Sequence, residues 1–453
     1  MILDKDTIVA QATALGKGGV GIIRISGPLC QMIAKKIIGI LPTPRYAHFC
    51  RFKYNNEIID EGITLYFPAP HSFTGEDVLE FQGHGGPVLL DHLVKIIVEQ
   101  GARIARPGEF SLRAFLNNKI DLAQAEAISD LINADSVQAA RSAVRSLQGE
   151  FSQKIKNLTE ELVYLRTLIE AAIDFPEEEI DFLADKDIEN RLIELLQHVK
   201  LVLKTAEQGA LLQEGMTIVI AGEPNAGKSS LLNCLSGKES AIVTPIAGTT
   251  RDILREHINI DGMPLHIIDT AGLRTTSDIV EQEGVRRAKQ AIENADVVLL
   301  VLDSSKKQNL VYEINLLYKQ VNLPREIPVI IVANKIDLIA ENPHSEIKDC
   351  YQIIKLSAKH NQGIELLTEH LKKMMGFNQR QEGVFIARRR HLDALNRAHD
   401  LAQHGLTTLQ QDRAGELVAE DLRLAQIALS EITGEFTADD LLGEIFSSFC
   451  IGK

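Results

Sequence analysis

The sequence predicts an α/β domain inserted into an all-α helical domain, with an α+β domain ahead of both. Residues 213–376 contain short apolar runs typical of buried parallel strands. Amphipathic helical periodicity occupies residues 118–212 and returns over residues 377–453. Residues 1–117 contain short β-type runs that Gly and Pro interrupt. Because each helical flank looks too amphipathic to stand alone, the two flanks are predicted to form one domain.

The strands of the α/β domain can be placed one by one. Their order predicts a doubly wound sheet, whose ligand should bind at the carboxyl ends of the parallel strands. The predicted segments are Met216–Ala221, Arg255–Ile260, Leu265–Ile268, Val297–Leu302, Val329–Ala333 and Ile353–Leu356.

In the flanking domains, the sequence patterns that predict helices and strands are weaker. Helical spacing in the first flank begins around Leu122 and Ala125, and in the second it includes Leu422 and Ile427. Two glycine-rich stretches, 16–21 and 82–87, are interpreted as turns. The predicted strands of the first domain are Thr7–Ala12, Gly21–Ile25, Ile63–Phe67 and Val78–Phe81.

Composition limits the function classes. The 453 residues suggest about three domains. The net charge of −14 means that any nucleic-acid contact must use a local basic patch, for which Arg388–His391 is a candidate. Five scattered cysteines suit a reducing compartment. With neither a signal-peptide pattern nor a membrane-spanning run, we expect a cytoplasmic protein without stable membrane insertion.

The most informative motif is a phosphate-binding loop at residues 222–229. It reads Gly-Glu-Pro-Asn-Ala-Gly-Lys-Ser and lies between a predicted strand and a predicted helix. Backbone N–H groups of such a loop surround phosphate oxygens, and the helix directs its positive N-terminus at the same charge. Lys228 is predicted to reach the β and γ phosphates, and the Ser229 hydroxyl to bind Mg²⁺. A purely structural glycine-rich turn is the alternative.

Two downstream motifs favour guanine over adenine. Asn334-Lys335-Ile336-Asp337 follows an apolar strand, and Asp337 can accept hydrogen bonds from N1–H and the exocyclic amine of guanine. Asn334 is expected to face the N7/O6 edge, while the Lys335 stem covers the base plane. Ser357-Ala358-Lys359 then provides the Ala358 N–H for O6. The order of the motifs predicts GTP as the nucleotide.

Switch elements lie between these motifs. Residues 247–252 form a polar loop in which Thr250 is predicted to complete the Mg²⁺ shell. Asp269 is predicted to hold Mg²⁺ through water, and the Gly272 N–H to sense the γ-phosphate. The sequence thus predicts a P-loop GTPase. Its nucleotide-binding residues are predicted to include Asn225, Ala226, Gly227, Ser230, Thr270 and Ala271 as well.

The hydrolytic machinery departs from the Ras pattern. Leu273 occupies the place where Ras-like enzymes use glutamine to orient water. Glu281 is the favoured replacement, although an acidic switch loop can also be merely a solvated face. Asn225 offers a carbonyl oxygen that could help to bind a monovalent cation in place of an arginine finger, although asparagine is also a good turn residue.

The chain resembles the bacterial tRNA-modification GTPase family MnmE (TrmE). The resemblance runs from end to end and includes the stretches 6–13, 18–27, 106–110 and 119–127, the GTPase motifs and the terminal Phe449-Cys450-Ile451-Gly452-Lys453. It implies a homodimer formed through an N-terminal domain that is similar to tetrahydrofolate-dependent aminomethyltransferases. It also implies work with the FAD-containing partner MnmG, in a heterotetramer or larger complex, on C5 of the wobble uridine of certain tRNAs.

The resemblance also implies particular site residues. Arg24, Glu80, Lys119 and Lys453 match positions that bind 5-formyl- or methylene-tetrahydrofolate, the one-carbon donor. K⁺ activates the family's GTPases, and Asn225, Thr244, Ile246 and Thr249 match its ligands. Glu281 matches the water-orienting glutamate. For Cys450, a catalytic thiol and a structural role both stay open. Further matches to switch residues are Arg251, Asp252 and Arg274.

Two other function classes stay open. A GTP-dependent ribosome-assembly factor would share the GTPase domain, but usually carries basic RNA-binding modules that this acidic chain lacks. A folate aminomethyltransferase regulated by GTP would transfer a methylene group without a flavoprotein.

Overall fold

The computed structural model describes most of the chain. The residues that it describes are 6–134, 136–174, 186–237, 255–260, 263–269, 295–306, 312, 327–348, 351–374, 384–411, 414–435, 439–447, 449 and 452. By its contacts the chain forms two compact units. One unit comprises Met1–Ser129, Ser146–Val199 and Ala394–Lys453, and the other comprises Asp130–Arg145 and Lys200–Asp393.

The first domain is built on a six-stranded sheet. Its strands are β1 (Ile8–Gln11), β2 (Gly18–Ser26), β3 (His48–Tyr54), β4 (Glu57–Phe67), β5 (Val78–Gly85) and β6 (Arg103–Ile104), in the order β3-β4-β5-β2-β1-β6. All neighbours are antiparallel except β1 and β6. Helices α1 (Cys30–Ile38) and α2 (Pro87–Glu99) bury their apolar stripes with Ile23, Leu79 and Phe81 of one sheet face. Helix α3 (Glu109–Leu116) contributes Phe110 to a second cluster with Ile8 and Ala10.

The prediction of two glycine-rich turns in this domain was wrong. Gly18 to Gly21 belong to β2, and Gly83 and Gly85 belong to β5, with Gly18 paired to Gly85. A Cβ atom at Gly85 would collide with the Gly18 backbone. The glycines therefore serve close approach of two paired strands, a role that local sequence does not distinguish from a turn.

The chain then becomes helical. The helices are α4 (Leu122–Ile132), α5 (Val137–Leu147), α6 (Glu150–Asp174) and α7 (Lys186–Glu214).

A seven-stranded sheet follows, with the predicted α/β pattern. Its elements are β7 (Met216–Gly222), α8 (Lys228–Ser236), β8 (Arg255–Ile260), β9 (Met263–Asp269), β10 (Val297–Asp303), β11 (Val329–Asn334), a 3-10 turn at Ile336–Leu338, β12 (His344–Lys348), β13 (Tyr351–Lys355) and α9 (Ile364–Met374).

The sheet has the order β12-β13-β11-β10-β7-β9-β8 and is parallel from β13 to β9. All seven residues of β10 are buried, as expected for a central parallel strand. All six predicted strands are present. Strand β12 was missed because its five residues are all exposed and show no apolar alternation.

The second helical stretch comprises α10 (Arg389–Gln411), α11 (Gly415–Thr433) and α12 (Asp439–Ser447). Helix α11 packs along α6, and Arg166 Nη1 donates to Gln426 Oε1 at 2.7 Å. Helices from both sides of the α/β segment thus share one core, which confirms the predicted insertion of an α/β domain into a helical one. Among the helices that the structure describes, none is long and apolar enough to cross a membrane.

Candidate guanine-nucleotide site

The phosphate-binding loop connects strand β7 to helix α8. Gly227 caps the helix with φ at +98°, and Asn225 also has a left-handed φ of 63°. A Cβ atom at Gly227 would overlap the Asn334 side-chain amide, so glycine is required there for conformation and for space. Asn225, Ser229 and Ser230 are exposed along this loop and the first turn of α8, whereas Ala226 is buried. The loop therefore presents polar groups beside a helix N-terminus.

Lys228 folds back over the loop that precedes it. Its Nζ donates to the carbonyl oxygens of Gly222 at 2.8 Å and Glu223 at 2.9 Å. The ammonium group is thus held at the mouth of the loop. Its predicted contact with the β and γ phosphates stays a prediction.

Asn334 joins three loops through one buried side chain. It is 2% exposed and ends β11. Its Nδ2 donates to the Ala226 carbonyl at 2.9 Å, and its Oδ1 accepts from the Ala358 N–H at 3.0 Å. The same oxygen also accepts from the Lys335 N–H at 2.8 Å. The phosphate-binding loop and both guanine motifs are therefore fastened to each other.

The structure adds contacts that the sequence prediction did not include. Asn334 was expected to face the N7/O6 edge of guanine, and the Ala358 N–H was expected to donate to O6. In the structure those groups bond to each other. Their predicted contacts with guanine stay predictions. The sequence order could not show this contact, because the three residues lie at the carboxyl ends of β7, β11 and β13, which only the folded sheet brings together.

Lys335 and Asp337 lie on the tight turn after β11. Lys335 has a left-handed φ of 68°, and its Nζ lies 2.7 Å from Asp303 Oδ2. Asp337 Oδ1 accepts from the Ser357 hydroxyl at 2.6 Å, and this hydrogen bond lowers the pKa of Asp337 below its ordinary value. Asp337 therefore stays ionised as an acceptor, the form that guanine recognition requires. Lys359 is exposed beside it.

Asp303 is a site residue that sequence reasoning missed. It ends β10, directly between β7 and β11, and is buried. Burial alone would raise its pKa, but hydrogen bonds from Lys335 and Ser305 lower the pKa to about 2. An aspartate at the carboxyl end of a wholly apolar strand was the available signal.

A second cluster of predicted residues lies in the first domain. Arg24 on β2 pairs with Glu80 on β5, with Nε 2.8 Å from Oε1. Arg24 Nη1 also donates to the Gly452 carbonyl at 3.5 Å. A Cβ atom at Gly452 would overlap the Gln11 carbonyl, so the C-terminal tail packs on β1 at this point. Lys119 donates to the Pro70 carbonyl at 2.9 Å, and no contact joins it to the Arg24–Glu80 pair among the described hydrogen bonds.

Several predicted positions lie outside the residues that the structure describes, and Asp269 is described only as the last residue of β9. Those positions are Thr244, Ile246, Thr249, Thr250, Arg251, Asp252, Thr270, Ala271, Gly272, Arg274, Glu281, Cys450 and Lys453.

Comparison with known proteins identifies the family. A model described as "MnmE helical domain" matches residues 122–450, and one described as "GTP-binding protein TrmE N-terminus" matches residues 7–119. The tRNA modification GTPase MnmE of Coxiella burnetii is 61% identical over 448 residues, 99% of each chain. This chain belongs to the MnmE family of tRNA modification GTPases. The MnmE of Histophilus somni is 59% identical over 455 residues, which is all of both chains.

Membership of the MnmE family establishes the enzyme class, a GTP hydrolase acting in tRNA modification. Both the predicted family and the predicted enzyme class are confirmed. Among solved structures, a variant of Era from Aquifex aeolicus bound to GDP·AlF4⁻ covers 41% of this chain and 66% of its own. At 27% identity and a TM-score of 0.27, that overlap carries no structural argument.

A junction of charged and polar groups lies where this MnmE-family chain enters and leaves its α/β segment. We define it by Asp130, Gln213, Glu214, His266, Arg388 and Arg389.

The junction joins three helix ends and one strand. Arg388 Nη2 lies 2.7 Å from Oδ1 of the buried Asp130, near the end of α4. Arg389 Nε, at the start of α10, lies 2.8 Å from Glu214 Oε2 at the end of α7. His266 Nε2 on β9 donates to the Glu214 carbonyl at 2.7 Å. Strand β9 continues to Asp269 three residues later, so the junction is attached to the strand that precedes the predicted switch.

The Asn334 connection predicts a specific loss of affinity. Replacing Asn334 with Ala leaves the Ala226 carbonyl and the Ala358 N–H without their buried partner, which costs about 1–3 kcal/mol per group. We expect GDP affinity to fall at least about tenfold, because the loops no longer hold one arrangement. Titration with a fluorescent GDP analogue measures the change. The exposed Asn342→Ala variant is the matched control. An unchanged dissociation constant in a folded Asn334→Ala protein would contradict the connection.

Proposed function

We propose that this chain uses GTP hydrolysis to drive modification of the wobble uridine, position 34, of certain tRNAs. The product carries an aminomethyl or carboxymethylaminomethyl group at C5, made with an FAD-dependent partner and a tetrahydrofolate one-carbon donor. The observation that carries the proposal is the connection of the phosphate-binding loop to both guanine motifs through Asn334, in a chain that matches MnmE relatives over its full length.

In the hydrolysis step, side chains of this protein supply positive charge and hold the reacting groups in position. Lys228 is already held at the loop mouth, where a phosphate can exchange for its two carbonyl partners. Ser229 exposes a hydroxyl at the first turn of α8, the oxygen type that Mg²⁺ prefers. We assign Mg²⁺ to Ser229 and Thr250, and the orientation of water to Glu281. When bound, the metal supplies positive charge against the phosphate oxygens.

We propose K⁺ as the second cation. Asn225 fits because its left-handed backbone and exposed side chain leave a neutral oxygen at the phosphate loop. The other proposed ligands are Thr244, Ile246 and Thr249. This assignment expects faster GTP hydrolysis in KCl than in NaCl at equal ionic strength.

The folate donor is assigned to the first domain. The Arg24–Glu80 pair is partly exposed on the sheet, and Glu80 also accepts from Gln82 Nε2 at 3.1 Å. A guanidinium and a carboxylate held side by side can bind the complementary donors and acceptors of a pterin ring or the charge of a folate tail. Packing of Gly452 beside Arg24 supports a contribution from Lys453 to this site. Lys119 completes the proposed set.

The proposed partners are tRNA as substrate, a second copy of this chain and the flavoprotein MnmG in a heterotetramer or larger complex. The name that the relatives share, tRNA modification GTPase, supports the first of these. We propose the cytoplasm as the location of this chain, which tRNA as substrate supports.

Coupling is assigned to the junction. Strand β9 leads to Asp269, and His266 on the same strand caps the last turn of α7. A shift of β9 during the nucleotide cycle would change the hydrogen bond to Glu214, whose carboxylate also holds Arg389 at the start of α10. Hydrolysis can thereby act on the helix ends that flank the α/β segment.

The proposed function is tested on tRNA from cells that lack this chain. We expect wobble uridines that normally carry the C5 substituent to be unmodified, and mass spectrometry of tRNA nucleosides measures the loss. Expression of the wild-type chain should restore the substituent. Normal wobble uridines together with a ribosome-assembly defect would favour an assembly factor instead.

The folate assignment predicts that Arg24→Gln weakens binding of 5-formyltetrahydrofolate about tenfold or more, because a charged hydrogen-bond donor is lost. Isothermal titration calorimetry measures the affinity, while GTP hydrolysis should stay near the wild-type rate. Arg51→Gln is the matched control, since Arg51 pairs with Glu61 at 3.7 Å on the exposed surface of the same sheet. Equal folate affinity in both variants would remove Arg24 from the site.

The coupling role assigned to the junction predicts that His266→Ala lowers tRNA modification more than it lowers GTP hydrolysis. GTP turnover should stay within about twofold of wild type, because loss of one hydrogen bond to a carbonyl at the end of a helix costs only about 1 kcal/mol. The yield of modified tRNA per GTP hydrolysed should fall severalfold. His344→Ala is the control, because exposed His344 bonds only locally to the Asn342 carbonyl among its described hydrogen bonds. A parallel fall in both activities would contradict a coupling role.

A further inference from the structure

Asp303 is the last residue of β10. This strand lies between β7, which leads into the phosphate-binding loop, and β11, which leads into the guanine motif at residues 334–337. Strand β10 pairs with β7 on one side and β11 on the other, and Asp303 is in register with Asn334. The Ser304 N–H donates to the Asn334 carbonyl at 2.9 Å. The backbone around Asp303 is therefore fixed to the residue that connects the loops of the site.

The Asp303 carboxylate is fully engaged. Oδ2 accepts from Lys335 Nζ at 2.7 Å, and Oδ1 accepts from the Ser305 N–H at 3.0 Å and from its hydroxyl at 2.6 Å. The two carboxylate oxygens thus have different partners. One closes the turn after β10, while the other reaches across to Lys335.

Lys335 is restrained from both ends. Its N–H donates to Asn334 Oδ1 at 2.8 Å, and its backbone has the left-handed φ of 68° that few side-chain-bearing residues adopt. Its ammonium group is drawn to the buried Asp303, which needs a cation because an unpaired buried carboxylate is unfavourable. With both ends held, the methylene stem between them has few conformations left.

We propose that Asp303 is a positioning residue for guanine nucleotides, which fixes the Lys335 stem as one wall of the base pocket. The proposal rests on the assignment of the guanine site to residues 334–337 and 357–359. Asp303 itself does not touch the base. It restrains the Lys335 side chain before the base binds, so that less conformational entropy is lost on binding.

The test compares two aspartates at opposite ends of the same stretch. Asp303→Asn keeps the size and the capacity to accept from Ser305 but removes the charge that holds Lys335. Asp296→Asn is the matched control, because Asp296 lies just before β10, at the opposite end of the strand from Asp303, and accepts from the Thr217 N–H at 2.8 Å. Melting temperatures of both variants check that each is folded.

We expect Asp303→Asn to raise the dissociation constant of a fluorescent GDP analogue about tenfold, mainly through faster release. Turnover at saturating GTP should stay within about twofold of wild type, which a general loss of structure would not allow. Asp296→Asn should leave both quantities unchanged. Affinity of Asp303→Asn within twofold of wild type would overturn the proposal.

A double-mutant cycle separates this role from a purely local one. In a Lys335→Ala background, adding Asp303→Asn should cause no further loss of GDP affinity, since the residue that Asp303 positions has gone. An equal loss in both backgrounds would show that Asp303 acts through the turn at Ser305 and would overturn the proposal. If the wild-type chain did not bind GDP, the guanine-site assignment itself would fail. Absent tRNA modification with intact GDP binding would contradict only the tRNA part of the proposed function.

Discussion

The buried amide of Asn334 is the interaction on which the nucleotide site depends. It joins the Ala226 carbonyl of the phosphate-binding loop to the Ala358 N–H of the last guanine motif. These partners come from different strands, and both are buried backbone groups that need a hydrogen-bond partner. One side chain therefore connects the phosphate-binding loop to the last of the predicted guanine motifs.

The neighbouring charges extend this arrangement. Asp303 and Lys335 form an ion pair across adjacent strands, and Asp337 keeps its carboxylate ionised beside Ser357. The depressed pKa of Asp303, about 2, means that the pair persists through the neutral and mildly acidic range. The folded state gains from this ionised pair above the ordinary aspartate pKa and loses that gain only as the pH falls toward about 2.

The sequence predicted those elements that depend only on residues close together in the chain. The loop at 222–229 and the six strands could be recognised because each is encoded in consecutive residues. The roles of Asn334 and Asp303 could not, since they depend on which strands are neighbours and in which register. The same limitation explains the misread glycines of β2 and β5 and the missed exposed strand β12. The exact domain boundaries stay predictions.

In the proposed coupling, the junction connects the nucleotide site to the helix ends that flank the α/β segment. His266 and Asp269 share strand β9, and Glu214 and Arg389 mark the two helix ends around the α/β segment. The central claim is that a guanine nucleotide bound at Asp337 drives tRNA modification.

A change of base specificity tests this claim most directly. Asp337→Asn offers an amide donor to the second carbonyl of xanthine in place of the acceptor that guanine needs. In a reconstituted reaction with tRNA, the flavoprotein and the folate donor, the variant should modify tRNA with XTP and fail with GTP. Modification by the variant that proceeds with GTP as in the wild type would contradict the account, as would XTP hydrolysis without any modified tRNA.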